Sequence, residues 1–202
     1  MPDIKEQTME MNAIKVLPYT EEWASTFRQL AAIYQQHLEG LITGIEHVGS
    51  TSVPGLAAKP IIDIDLLIKE PSQLPPVVAV LEKLGYTWRG DLGIPGRDAF
   101  GRNADTTPDD SKETVWMTHN LYVCQEGCIS LKNHLQLRDF LRQHPEAAQQ
   151  YGALKQELAV KYPYDIDQYI EGKTAFITGI LAQTGLQEDA LQDITARNKA
   201  GK

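Results

Sequence analysis

The chain has little cysteine. Only Cys124 and Cys128 occur among 202 residues, which excludes a disulfide-stapled scaffold and points to two reduced thiols. Aromatic residues are sparse at 7%, and Trp23, Trp88 and Trp116 are scattered over three segments, so no stacking platform for single strands is legible. Basic charge is also short, with 19 Lys and Arg against 27 Asp and Glu and a formal net charge of -8. That balance argues against extended nucleic acid as a partner. It leaves room for a local basic pocket and a small nucleotide or other phosphorylated ligand. No aliphatic run approaches a membrane span, because Asp, Lys, Pro or Gly interrupts each one. The opening residues MPDIKEQTMEMN have no apolar stretch behind a basic start, which reads as no secretory leader and a cytoplasmic protein.

What is present suits a single globular domain with a real core, the apolar fraction being 42%. Residues 1–12 read as a flexible polar lead-in, 13–185 as one domain, and 186–202 as a polar tail or frayed helix. Ile14–Leu17 suggests a short strand. Trp23, Phe27, Leu30, Tyr34 and Leu38 recur at helical spacing behind Thr20, a good N-cap followed by Glu21 and Glu22. Leu41–Val48 and 61–68 read as strands, and Pro71–Leu84 as a helix entered through prolines and ended by Gly85. Tyr86–Trp88 and Asp98–Arg102 are short strands around a glycine-bearing loop, and Thr114–Cys124 is a further strand or a bent pair. Helical periodicity then dominates: one helix halts near His144, another opens at Pro145, and a third runs over Asp167–Leu181. The whole is α/β (α+β), a small mixed sheet flanked by helices with a helical C-terminal region.

The chemistry concentrates in EHVGSTSVPGLAAKPIIDIDLLI, Glu46 to Ile68. Side chains alternate along a strand, so Asp63 and Asp65 share one face while Ile62, Ile64, Leu66 and Ile68 form an aliphatic opposite face. Two carboxylates so close repel each other unless solvent, a base or a cation intervenes. Magnesium would satisfy both, since it takes one or two carboxylates and completes its shell with water and phosphate oxygens. The Gly49-Ser50 turn can offer backbone N–H groups and a hydroxyl to a phosphate. By spacing alone the pair is either this metal site or the polar side of a solvated edge strand; the unbroken aliphatic face favours the metal.

HVGSTSVPGLAAKPIIDIDLLI, then HNLYVC, then LRDFLRQHPEAAQQYGALKQELA together resemble the GrpB-like family over nearly the whole chain after the first dozen residues. The family is similar to a branch of the nucleotidyltransferase superfamily, and related domains occur fused to dephospho-coenzyme A kinase. The resemblance implies a nucleotidyltransferase-like fold, phosphate contacts at Gly49 and Ser50, and Mg2+ or Mn2+ at Asp63 and Asp65. It also implies a third carboxylate on a later strand, and VWMTHNLYV has none. His119 is the polar residue there assigned as base or ligand, its reference pKa lying near neutrality.

Lys59, Arg97, Arg138 and Arg142 complete the candidate phosphate contacts. Arg138 and Arg142 share a helix face and can clamp phosphate, or else pair with Asp139 and Glu146. His47 contacts substrate or is a hydrogen-bonded core histidine, and Lys155 and Lys173 reach either a cleft or water. His119, Cys124 and Cys128 match no zinc signature. Three functions follow. The first is Mg-dependent transfer of a nucleoside monophosphate from an NTP to an acceptor hydroxyl. The second is a catalytically inactive module binding a nucleotide or coenzyme-like ligand. The third is a structural or interaction protein with an empty acidic cleft.

Overall fold

The computed structural model describes residues 13–201; the lead-in 1–12 lies outside them. Five strands form one sheet in the order β1-β2-β5-β4-β3: β1 (Gly44–Val48), β2 (Ile62–Ile68), β3 (Tyr86–Trp88), β4 (Arg97–Arg102) and β5 (His119–Gln125). The central pair β2 and β5 is parallel, and the remaining neighbours are antiparallel. The sheet is therefore mixed. Two helices, α1 (Glu21–His37) and α2 (Leu74–Lys83), precede β5 or separate the early strands, and α3 (Ile129–Gln143), α4 (Pro145–Lys161), α5 (Ile166–Gln183) and α6 (Glu188–Arg197) follow it.

The two faces of β2 have different neighbours. Ile62, Ile64, Leu66 and Ile68 are buried against Trp23, Leu30 and Tyr34 of α1 and Val77 and Leu81 of α2. This is the main core, and burial of its large apolar side chains supplies most of the driving force for folding. Thr20 caps α1 as its spacing predicts, accepting the Glu22 N–H. A second cluster, with Val53, Leu56, Leu141, Ala148, Tyr151 and Ile180, packs the segment after β1 against the C-terminal helices. The aspartate face of β2 therefore looks into a cleft roofed by α3, α4 and α5.

Several elements are shorter than the periodicity predicts. Leu41 and Ile42 stay in a helical turn, their N–H groups bonded to the Leu38 carbonyl, so β1 starts only at Gly44. Ile14–Leu17 contributes a single bridge, Leu17 to Ala58. Residues 114–118 run outside the sheet because the Arg102 guanidinium, rather than a strand, takes the carbonyls of Trp116 and Met117. At the C-terminal end, α6 is a distinct helix whose Ala190 and Leu191 are buried.

Candidate functional site

Strand register brings the site together. Across the parallel pair Asp63 lies beside Asn120 and Asp65 beside Tyr122, and across the antiparallel pair Val48 faces Asp63 and Glu46 faces Asp65. The cost of two carboxylates on this face is met locally. Asn120 Nδ2 donates to Asp63 Oδ1 at 2.8 Å, and His134 of α3 donates from Nδ1 to Asp65 Oδ2 at 2.7 Å. Asp65 is fully buried, yet its Oδ1 has no partner. Burial pushes the Asp63 carboxyl up, opposed by Asn120 and by the charge of His134. Burial pulls His134 down, but the hydrogen bond and charge of Asp65 outweigh it and leave the imidazole above its ordinary value.

The turn after β1 is built for close approach. Gly49 has φ +70° and ψ -174°, a region essentially reserved for glycine. A Cβ there would sit 2.2 Å from Asp63 Oδ2. The backbone of Gly49 thus lies directly over the free carboxylate oxygen, and Ser50–Ser52 follow as a turn of 3-10 helix. Arg142 clamps this turn through two donors to the Ser52 carbonyl, at 3.1 and 2.8 Å. Arg138 donates to the His47 carbonyl at 3.1 Å and pairs with Glu46 at 2.5 Å and Asp139 at 2.7 Å.

Opposite the aspartates stand three lysines. A cavity of about 250 Å³ is lined by Ser50, Lys59, Asp63, Asn120, Lys155 and Lys173, among others. Lys155 is 2% exposed; its Nζ lies 4.6 Å from the centroid of the Tyr151 ring and has no hydrogen-bond partner. Burial and then the neighbouring Lys173 pull its pKa down to about 7. Lys173 is lowered to about 8 by burial and by Lys59, against the attraction of Asp63. Burial also lowers Lys59. A second recess of about 180 Å³ adjoins this one, sharing Ser50, Asp63 and Lys173 and reaching His134.

The predicted residues divide accordingly. Gly49, Ser50, Lys59, Asp63 and Asp65 converge. His119 does not: it pairs in register with Ile62, which puts it on the aliphatic face, and it is 4% exposed. Its Nδ1 donates to the Met117 carbonyl at 3.0 Å, so Nε2 accepts from the Tyr86 hydroxyl at 2.5 Å, which in turn accepts from Tyr34 at 2.6 Å. Burial, and then the charge of Arg102, hold His119 neutral with a pKa of about 4, against the Met117 carbonyl, which raises it. The assignment of His119 as base or ligand is corrected; the imidazole at the carboxylates is His134. Nor do His119 and Cys124 converge, since β5 places them on opposite faces.

Arg97 lies on the aspartate side but away from the lysines. Its guanidinium stacks 4.5 Å above the Tyr122 ring and lines a separate cavity with Cys128 and Arg197. Arg138 and Arg142 are engaged by Glu46, Asp139 and backbone carbonyls and so hold the Gly49 turn, and Arg138 also lines the recess shared by Ser50, Asp63 and Lys173. His47 is a core histidine: it stacks on Phe27 at 4.5 Å and reaches Thr51 Oγ1 at 3.1 Å. Burial, then Arg142 and Arg138, lower its pKa to about 4. Lys155, Lys173, Asn120 and His134 are the functional candidates that the strand motif alone does not mark.

Among the described residues no cluster of three or more His, Cys, Asp or Glu is disposed around a metal position. The donor set nevertheless fits a magnesium-type ion, because Asp65 Oδ1 is buried and unpartnered and Asp63 Oδ2 is left on the Gly49 side. Two carboxylate oxygens are what such an ion takes from protein when phosphate and water supply the rest.

Fold and cleft define an α/β protein with an acidic strand pair set against a basic helical wall. Residues 13–183 match the family model described as GrpB protein, and the chain belongs to that family. It is 33% identical over 164 residues to UPF0157 protein YqkA of Bacillus subtilis, a match covering 81% of this chain but 45% of that protein. It therefore spans under half the length of that relative. It is 37% identical over 178 residues to UPF0157 protein PA4798 of Pseudomonas aeruginosa, covering 84% of this chain and 67% of that one. The solved structure of the conserved protein GrpB from Enterococcus faecalis superposes with a TM-score of 0.71 at 32% identity, over 89% of this chain and 98% of that one. The match to the family model stops before α6.

Proposed function

We propose that the cleft binds the phosphate chain of a nucleotide and transfers a nucleoside monophosphate to an acceptor hydroxyl. The observation that carries this reading is Lys155, a buried ammonium with no partner, facing the same small cavity as Ser50, Asp63 and Lys173. An unpaired buried charge is costly, and a phosphate oxygen is the partner whose charge and size suit it. A cavity of about 250 Å³ is below the size of pockets that enclose a whole drug-sized ligand, roughly 300–1,000 Å³. It suits the phosphates, with sugar and base outside.

Asp63 and Asp65 would hold Mg2+ or Mn2+, which when bound neutralises charge at the transferred phosphate and on the departing pyrophosphate. Lys59, Lys155 and Lys173 bind the phosphate tail, and Gly49 keeps a side chain out of the space beside Asp63. Asn120 fixes Asp63. Asp65 fixes His134 through Nδ1, leaving Nε2 to take a proton from an acceptor hydroxyl. The test is equilibrium titration with ATP, GTP, CTP and UTP, with and without magnesium or manganese. Wild type is expected to bind in a metal-dependent manner, and Lys155→Met and Asp63→Asn/Asp65→Asn to lose it. Equal metal-independent binding by all three would overturn the reading.

A second reading has its own support. On the aspartate face β5 presents Asn120 and Tyr122, not an acid, which suits a module that binds a nucleotide or coenzyme-like ligand without turnover. Pyrophosphate release on incubation with NTPs and hydroxyl acceptors separates the two.

A further inference from the structure

The thiols of Cys124 and Cys128 are not used by the proposed reaction, and they flank the turn between β5 and α3 at the far end of the aspartate face. Cys124 is in register with Leu67 and Arg97 and is fully buried. A turn closed by the Cys128 N–H and the Gln125 carbonyl at 3.1 Å then folds the chain back. Cys128 becomes the N-cap of α3, its Sγ accepting the Leu131 N–H at 3.4 Å. The Gly96 carbonyl, which accepts the Gln125 N–H at 2.8 Å, holds this turn against the strand pair in which Arg97 and Cys124 are in register. Gly96 packs against the turn so tightly that a Cβ there would be 2.8 Å from Cys128 Cβ.

Each feature favours a thiolate at one sulfur only. Ser, Thr, Asp or Asn normally caps a helix; a cysteine that accepts helix N–H groups is stabilised in its charged form. His134 and Arg97 line the cavity of about 640 Å³ onto which Cys128 opens. Cys124 touches no solvent. The hydrogen bond from Cys124 lowers Cys128 to about 6 despite partial burial, helped by Leu131 N–H and His134, while the same hydrogen bond and burial raise Cys124 far above the ordinary thiol range.

We propose that Cys128 is a peroxide-reactive thiol and Cys124 its resolving partner, making the β5–α3 turn a reversible redox modification site. The Cys128 thiolate attacks the O–O bond of hydrogen peroxide or a small organic hydroperoxide. An S–O bond forms, the O–O bond breaks, and hydroxide or alkoxide leaves and takes up a proton. Sulfur loses two electrons to the peroxide and becomes a sulfenic acid. Cys124 sulfur then attacks that sulfur; the S–S bond forms, the S–O bond breaks, and water leaves with the Cys124 proton. Two thiols and one peroxide give one disulfide, one alcohol or water, and one water. A dithiol reductant reverses it by exchange.

The gain in rate over a free thiol is only a few-fold, because the larger thiolate fraction is partly offset by the lower nucleophilicity of a low-pKa sulfur. Selectivity between the two cysteines is therefore the decisive readout. Reduced full-length protein is treated with equimolar hydrogen peroxide and its intact mass and peptide map are read, beside Cys124→Ser and Cys128→Ser. Wild type is expected to lose two hydrogens and form the Cys124–Cys128 disulfide, reversibly with dithiothreitol. Cys124→Ser should gain one oxygen at Cys128, trapped by dimedone, and Cys128→Ser should not react. Oxidation of Cys128→Ser at the wild-type rate overturns the proposal, as does a persistent sulfenic acid or unreacted thiols in wild type. Should either variant fail to fold, dimedone and alkylation mapping of wild type alone still decides which sulfur reacts first.

Discussion

At the scale of single residues, the cleft sets stability against binding at Lys155. Its ammonium is buried and unpartnered, so Lys155→Met is expected to raise stability by about 1 kcal/mol or more, measured by urea unfolding, while triphosphate affinity falls at least about tenfold. The pH dependence follows from the same group. Its folded pKa, about 7, lies below the ordinary 10.5. Between those values the unfolded chain binds more protons, so this residue's contribution makes stability rise with pH across that window and fall as pH drops toward 7. Binding runs the other way, because phosphate needs the charged form. Affinity for NTP should decrease from about pH 6 to about pH 9 in wild type and be flatter in Lys155→Arg. Asn120→Asp tests the missing acid. It replaces the donor to Asp63 with a third carboxylate, so the metal-free protein should be destabilised by repulsion and magnesium should restore its melting temperature.

At the scale of elements, the turn between β1 and β2 decides whether the aspartates are usable. Gly49→Ala combines a glycine-only backbone with a contact of 2.2 Å to Asp63; a loss of about 2–4 kcal/mol is expected by thermal or chemical unfolding. Strand parity also accounts for the position of His119. His119 alternates with Leu121 and Val123, so the period of two already placed it on the aliphatic side. Its polar atoms are satisfied within the core by the Tyr86 hydroxyl and the Met117 carbonyl. His134 was legible in the same way, one helical turn before Arg138, but nothing in a helix repeat says which strand the face will meet. Arg138 and Arg142 share a face as read, and their partners are the Gly49 turn and Glu46, with Arg138 also lining the recess beside Ser50 and Asp63.

At the scale of the whole molecule, the site exists only because the two halves of the chain close on each other. The sheet contributes Asp63 and Asn120, the connection between β1 and β2 contributes Ser50 and Lys59, and α4 and α5 contribute Lys155 and Lys173. A ligand there bridges the halves and binds only the folded state. At a hundredfold excess over its dissociation constant it should stabilise wild type by about 2.7 kcal/mol, seen as a rise in melting temperature that Lys155→Met lacks. Hydrogen exchange should slow in β2, β5, α4 and α5 together.

The sequence by itself determined the alternation that puts Asp63 and Asp65 on one face, the amphipathic helices, the mixed α/β class and the glycine turn, because each of these depends on local periodicity and backbone conformation. The tertiary structure alone decided what faces the aspartates. Register between β2 and β5 chose Asn120 over His119, and helix packing over the sheet brought His134, 69 residues from Asp65, together with the still more distant Lys155 and Lys173. Such contacts are set by which apolar faces bury together, and no spacing within one segment encodes them.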